Sequence, residues 1–449
     1  MEQTIPIFIA SALGKVWNFI ELWWWVPMPF VLWRPFLFFW RWWRMETWMF
    51  AQKKVLLEIK MPKEVLKPLK AMEQVFSAIW GNTFDPPDWY EYWFEGKDLD
   101  SVQLEMVSLG GEPHLFVRCS EGRRNAIEAS IYSQYPEAEI LQADDYIKYV
   151  PQDLPNKDWE MWGTDYILQK SDVFPIKTYS KFFEEQESID EEKRVDPLAT
   201  LLEGMAKLGP GEQLWIQIAA SPVLSVTDIK AGGTYDFVKE GRKVADKLAK
   251  REAAPKQKPI LTEIFEEVVY GKAPGPEEKK VEIFPAELRL TPGEKDVVEA
   301  VENKVAKRCF MCFARFIYLA KRDVYFGGAK AIPFGFFNQF ATENLNSPRP
   351  YPQTLTKIKH YITFINLPIP ISPFRLRRLF VRKRKLFFRY IKRFPPLFPK
   401  SSGKTSFILN TEELATIFHF PGRMVAPAPF VSRVESKRGE APPGLPMEE

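Results

Sequence analysis

The sequence predicts an α+β protein in which an N-terminal transmembrane helix precedes two ferredoxin-like (βαββαβ) domains, the second with insertions, and a basic amphipathic helix. Three observations predict it. A tryptophan-rich apolar run occupies the first fifty residues. Period-two and period-3.6 stretches alternate twice between residues 53 and 320, the mark of mixed strands and helices. One stretch, 375–393, carries ten Arg or Lys and no acid.

At 449 residues the length prior is roughly three domains. Hydrophobic residues at 46 % and aromatics at 15 % supply sizeable cores. The partition reads as a Trp-rich membrane anchor over 1–50, a first ferredoxin-like domain over 51–150 and a second over 151–345 with a charged insertion at 230–280. A Pro-rich and basic segment with a closing strand and helix follows over 346–420, then a disordered Pro-rich tail over 421–449. Three cysteines give no disulfide framework and point to a reducing compartment.

The anchor comes first. Nine of fifteen tryptophans lie in residues 1–50, and Leu22–Phe39 holds one charge, Arg34. Eighteen residues in a helix reach about 27 Å, near the thickness of a bilayer core. Trp23, Trp24 and Trp25 at one end and Trp40, Trp42 and Trp43 at the other, with Trp33 between, resemble aromatic belts. Arg34 sits near one end and can snorkel, and three prolines imply a kink. A helix buried in a core or lying flat on a surface is the alternative. Arg41, Arg44, Lys53 and Lys54 follow the run and only Lys15 precedes it, so the positive-inside rule places the bulk of the chain in the cytoplasm. The expectation is a single-pass protein of the cell membrane.

The body follows in order. KKVLLEIKMP (53–62) is a strand, and LKPLKAMEQVFSAIW (66–80) has helical spacing with Leu69, Met72, Val75, Phe76 and Ile79 on one face. SVQLEMVSL and PHLFVRCSE alternate around Gly110-Gly111, a hairpin signal. RRNAIEASIYSQYP is a second helix and AEILQADDYI a closing strand, completing β-α-β-β-α-β. The pattern restarts with the strand WGTDYILQ, the helix DPLATLLEGMAKL with Asp196 as N-cap and Pro197 at N1, and the strand EQLWIQIAA. A charged helical piece, VKEGRKVADKLAKRE, lies in the insertion. The strand AELRL precedes a helix opened by the capping box Thr291–Glu294, and FMCFARFIYLA is an apolar strand. YITFINLPIPISPF is broken by three prolines, and FILN ends in a second box, Asn410–Glu413.

Chemistry is sparse. SSGKTS (401–406) contains the end of a P-loop, but Phe398 stands where the earlier glycine belongs and prolines precede it. Cys309 and Cys312 form a lone C-x-x-C without a second pair or a nearby histidine, read as structural. His114 and His360 read as surface decorations and His419 as a packed residue; Asp144-Asp145 and Glu412-Glu413 are adjacent and do not face each other. No nucleophile is paired with a base, so the expectation is a non-enzyme with no cofactor and no metal.

The basic stretch is the patch with functional content. Arg375, Arg377, Arg378, Arg382, Lys383, Arg384, Lys385, Arg389, Lys392 and Arg393 can neutralise phosphates of nucleic acid or of anionic lipid. The plain alternative is a solvated face whose apolar stripe, Leu376, Leu379, Phe380, Phe387, Tyr390, Ile391 and Phe394, packs on the fold.

Several stretches carry a resemblance: VLLEIKMPKEVLKPLKAMEQVFSAIWG, PNKDWEMWGTDYIL, DPLATLLEGMAKLGPGEQLWIQI, ELRLTPGEKDVVEAVENK and FILNTEELATIFHFPG. The chain resembles the N-terminal, non-ATPase region of bacterial proteins similar to type IV secretion and conjugative-transfer ATPases, a domain of unknown function. In that family a P-loop ATPase domain follows the tail, whereas this sequence ends at Met447-Glu448-Glu449. The resemblance implies a non-catalytic accessory or scaffold role, not ATP hydrolysis. Its implied partners are a membrane, a separately encoded P-loop ATPase, nucleic acid and further copies of the chain.

Overall fold

Residues 17, 21, 23–26, 28–61, 68–182, 196–223, 236–249, 290–357, 373–395 and 405–421 are described by the computed structural model. Nine helices are used below: α1 Met28–Ala51, α2 Leu69–Thr83, α3 Arg124–Tyr132, α4 Ala199–Ala206, α5 Phe237–Leu248, α6 Pro292–Ala306, α7 Ala331–Asn338, α8 Pro373–Lys392 and α9 Thr411–Ile417. The strands are β1 Lys54–Lys60, β2 Val102–Leu109, β3 Glu112–Ser120, β4 Glu139–Ala143, β5 Trp159–Leu168, β6 Glu212–Pro222, β7 Cys309–Lys321, β8 Pro348–Pro350 and β9 Phe407–Asn410. Two units divide the chain.

The smaller unit takes its described residues from 17–53 and 86–99. Its long helix corrects the transmembrane expectation: among the described residues no helix is long and apolar enough to cross a membrane. The reason lies in the sequence. Trp24, Trp25 and Val26 form a turn, so α1 begins only at Met28 and runs into Arg41, Arg44 and Glu46. The charges are put to use locally. Arg41 donates to the carbonyls of Gly96 (3.0 Å) and Lys97 (3.1 Å), Arg44 donates to the carbonyl of Phe94, and the Trp40 indole donates to that of Trp93 (2.8 Å). The Arg41 guanidinium also lies 3.9 Å from the Tyr92 ring centroid. The expectation of a single-pass membrane location falls with the span that carried it.

The larger unit is built on one nine-stranded antiparallel sheet in the order β4-β1-β3-β2-β6-β7-β5-β8, with β9 pairing the free end of β7. This corrects the second expectation. The stretches read as two separate ferredoxin-like domains share a single sheet, because β2 pairs β6 over eight residues, from Val102 with Ala220 to Leu109 with Gln213. Both strands are buried on both faces, with burial unbroken from Val102 to Ser108 and from Leu214 to Ala220. Such strands are stable at the centre of a covered sheet rather than at an edge.

Local chemistry fixes the elements. Gly110 and Gly111, at φ of 65° and 98°, close the β2–β3 hairpin in the left-handed region that residues with a Cβ avoid. Thr291 and Glu294 cap α6 reciprocally, as do Asn410 and Glu413 for α9. One sheet face carries Leu57, Leu104, Ile216, Phe316 and Tyr318 in a core with residues of α2, α3, α4, α7 and α9. The opposite face carries Leu56, Val107, Phe116, Trp215, Ile317 and Leu319, in a core with Tyr146 and Ile147 and with Leu386, Phe387 and Tyr390 of α8. Gly163 of β5 permits this second layer. A Cβ there would meet the Phe316 carbonyl at 2.5 Å and Leu386 Cδ2 at 3.0 Å.

Candidate functional site

Beneath the C-terminal end of α8 the sheet carries a polar row. Glu105, Gln217, Arg315 and Asp165 stand directly opposite one another on β2, β6, β7 and β5, and all four are fully buried. Side chains alternate across a strand, so these four share the face of Val107, Trp215 and Ile317, one pleat further along.

Arg393, just past the last turn of α8, closes over one end of the row. Its Nε and Nη2 donate to the two Glu105 oxygens at 2.9 and 3.1 Å, and Nη1 and Nη2 donate to Asp145 at 2.7 and 3.1 Å. Gln217 Nε2 donates to Glu105 at 2.8 Å, and the Tyr146 hydroxyl does so at 2.8 Å while lying 2.8 Å from the Tyr390 hydroxyl. Burial pushes the Glu105 carboxyl up, but Arg393 and these hydrogen bonds outweigh it and hold the group below its ordinary range. Asp145 is likewise held low by Arg393 against its burial. Arg393 itself has φ of 54°, a left-handed C-cap in a residue with a Cβ, retained because its guanidinium is tied on both sides.

The other end of the row is less well satisfied. Arg315 Nε lies 3.1 Å from Asp165 Oδ1, and Arg315 Nη2 donates to the Phe394 carbonyl at 2.5 Å. Burial pushes the Asp165 carboxyl up and the Arg315 guanidinium down, despite their attraction.

The ten predicted cations of the basic stretch therefore divide. Arg393 is a buried structural residue. Arg389 is half-buried and interacts with Asp165, which partly offsets the lowering that burial imposes on it. Arg382 donates to the Leu355 carbonyl at 2.7 Å, and Lys383 Nζ lies 2.7 Å from Glu160. Arg375 is partly buried. Arg377, Arg378, Arg384, Lys385 and Lys392 are exposed.

The exposed residues form a second face on α8. Phe374, Val381 and Phe388, 82 %, 40 % and 55 % exposed, repeat every seven residues and so lie along one side of the helix. Arg378, Lys385 and Lys392 repeat with the same spacing on one flank, and Arg377 and Arg384 on the other. The inner face, Leu386, Phe387 and Tyr390 with Ile391 beside them, is the one that docks on the sheet.

The predicted tryptophans have a different fate. Trp23, Trp24, Trp25, Trp33 and Trp43 are exposed, whereas Trp40 and Trp42 are half-buried within the smaller unit. Cys309 and Cys312 lie three residues apart on β7, so they face opposite sides of the sheet and cannot share a ligand. Burial pushes the Cys309 thiol up to about 12. His114 pairs with Glu58 at 2.7 Å, and His419 with Asp196 at 2.8 Å. His360, AELRL up to Arg289, YITFINLPIPIS and Ser401–Lys404 lie outside the described residues.

Sequence reasoning missed Glu105, Asp145, Asp165, Gln217 and Arg315 as a group. A signal was present: each of the four strand residues is a charged or amide side chain inside a strand stretch that is otherwise largely apolar. No protein-family model and no curated protein matches this chain.

Proposed function

We propose that this chain is a non-catalytic accessory protein that binds single-stranded nucleic acid through the outward face of α8. The observation that carries this reading is the split character of the helix. Its inner face is consumed by the sheet, while Phe374, Val381 and Phe388 remain in solvent between rows of arginine and lysine, with no acid anywhere in the helix. Phosphates fit the flanks, and exposed phenyl rings offer stacking platforms for unpaired bases, worth about 1–3 kcal/mol each. A duplex hides its base faces and would leave those rings without a role.

The non-catalytic part rests on how the reactive groups are used. Glu105 and Asp145 are held by Arg393, Asp165 faces Arg315, and all three cysteines are buried. The resemblance supplies a setting, a P-loop ATPase of the DNA-transfer kind whose strand such a protein would hold.

The test is fluorescence anisotropy of the full chain with labelled oligothymidylate of about 20 nucleotides, longer than a single-fold footprint. Four of the five exposed cations, Arg377, Arg378, Arg384 and Lys385, give an expected slope of log affinity against log salt of about −3. Replacing all four with alanine should abolish most of the binding, whereas Lys383→Ala, which removes an internal ion pair, should not. Absence of salt-dependent binding overturns the reading. Recovery of a P-loop ATPase after nuclease treatment, with no affinity for oligothymidylate, would assign the face to that protein instead.

A further inference from the structure

Beside α8, the loop after residue 152 and the residue following β7 border an open surface cleft of about 540 Å³, lined by Pro155, Asn156, Lys157, Arg322, Phe380 and Arg384 among others. We infer that this cleft is an anchoring subsite for one nucleotide unit of the bound strand, with the base on Phe380 and its phosphate between Lys157 and Arg384. The inference rests on the nucleic-acid reading above and adds a location that the outward stripe does not contain. On the helical wheel Phe380 lies between the outward row of Phe374, Val381 and Phe388 and the docked inner face.

The cleft wall is pre-formed. Asn156 Oδ1 accepts from the backbone N–H groups of Asp158 (3.0 Å) and Trp159 (2.8 Å), and its own N–H donates to the Trp159 carbonyl at 3.2 Å. Arg322, the residue after β7, clamps the loop: its Nε and Nη2 donate to the Asn156 carbonyl at 3.1 and 3.0 Å, and its N–H donates to the Asp158 carbonyl at 2.8 Å. Leu154 and Pro155 are buried beneath. A loop fixed in this way loses little freedom on binding, which is what pre-organisation contributes to affinity.

The charges at the rim divide into committed and uncommitted ones. Arg322 is offset by Glu160 at 3.2 Å, and Asp153, the one acid among the described lining residues, accepts from Asn156 Nδ2 at 3.1 Å. Lys157 and Arg384, by contrast, meet no carboxylate among the described residues; the Arg384 guanidinium lies 5.5 Å from the Phe380 ring centroid. Phe380 is 42 % exposed. A phenyl ring with a guanidinium over one face, its other face left for stacking, and a second cation on the cleft matches a base joined to a phosphate.

The experiment uses the full chain and the same labelled oligothymidylate. Lys157→Ala and Phe380→Ala should each weaken binding about tenfold, with Phe380→Tyr close to wild type because a ring is restored. An iodouridine-substituted strand should crosslink to Phe380. Both side chains are solvent-exposed, so unchanged thermal melts verify that the variants fold. If Lys157→Ala and Phe380→Ala bind like wild type while Arg378→Ala with Lys385→Ala weakens binding, the subsite is refuted and the α8 reading stands. If wild type binds no oligothymidylate, both are refuted.

Discussion

Arg393 is the residue on which the second face of the sheet closes. It bonds Glu105 and Asp145 at once, in a left-handed backbone conformation that an unconstrained arginine would leave. Arg393→Met should therefore strand Glu105 as a buried unpaired carboxylate and cost about 3–5 kcal/mol, read as a fall in urea midpoint at constant m-value. The pH dependence has a definite sign. Glu105 and Asp145 are held below their ordinary values in the folded state, so their contribution is present above the unfolded carboxylate pKa of about 4 and is lost as pH falls through the folded values. Arg393→Met combined with Glu105→Gln should flatten that acid limb. From sequence alone Arg393 was one of ten cations in a row, and nothing in its neighbours distinguished it from Lys392. Its partners lie almost 290 and 250 positions away, and only the strand register brings them together.

At the scale of elements, α8 carries two apolar faces with opposite roles. Leu386, 1 % exposed against Gly163, should cost about 2–5 kcal/mol as Leu386→Ala, with α8 becoming protease-sensitive. Val381→Ala, on the outward side, should stay within about 0.5 kcal/mol in the same urea titration. Elements whose boundaries are written in local chemistry were legible. The 102–120 hairpin announces itself by alternation around two glycines, and α6 and α9 by their capping boxes. The N-terminal helix was misread for an equally physical reason. Tryptophan and phenylalanine make a long apolar-looking run, but Arg41 and Arg44 close it, and those arginines hold backbone carbonyls of residues 94–97.

For the molecule as a whole, the decisive contact is between β2 and β6. Sequence periodicity reports which faces of a strand are covered, not which strand lies alongside, so two domains and one continuous sheet predict the same alternation. The difference is measurable. Residues 54–150 expressed alone would expose β2 as a long apolar edge and should self-associate in size-exclusion chromatography with light scattering. A monodisperse fragment with its own cooperative melt would count against the single sheet. Closure also has an order imposed by translation. Helix α2 ends at Thr83, yet the elements that seal it arrive about 330 residues later: Thr411 of α9 reaches Glu73, and β9 completes the strand whose Cys309 carbonyl accepts from the Trp80 indole. At roughly 5–20 residues per second the ribosome needs about 15–70 s to span that gap, so a helix made early waits, partly uncovered, for one made late. During that interval the nascent polypeptide is exposed to chaperones and proteases, and ribosome pauses between codons 100 and 400 should lower its yield far more than pauses after codon 420.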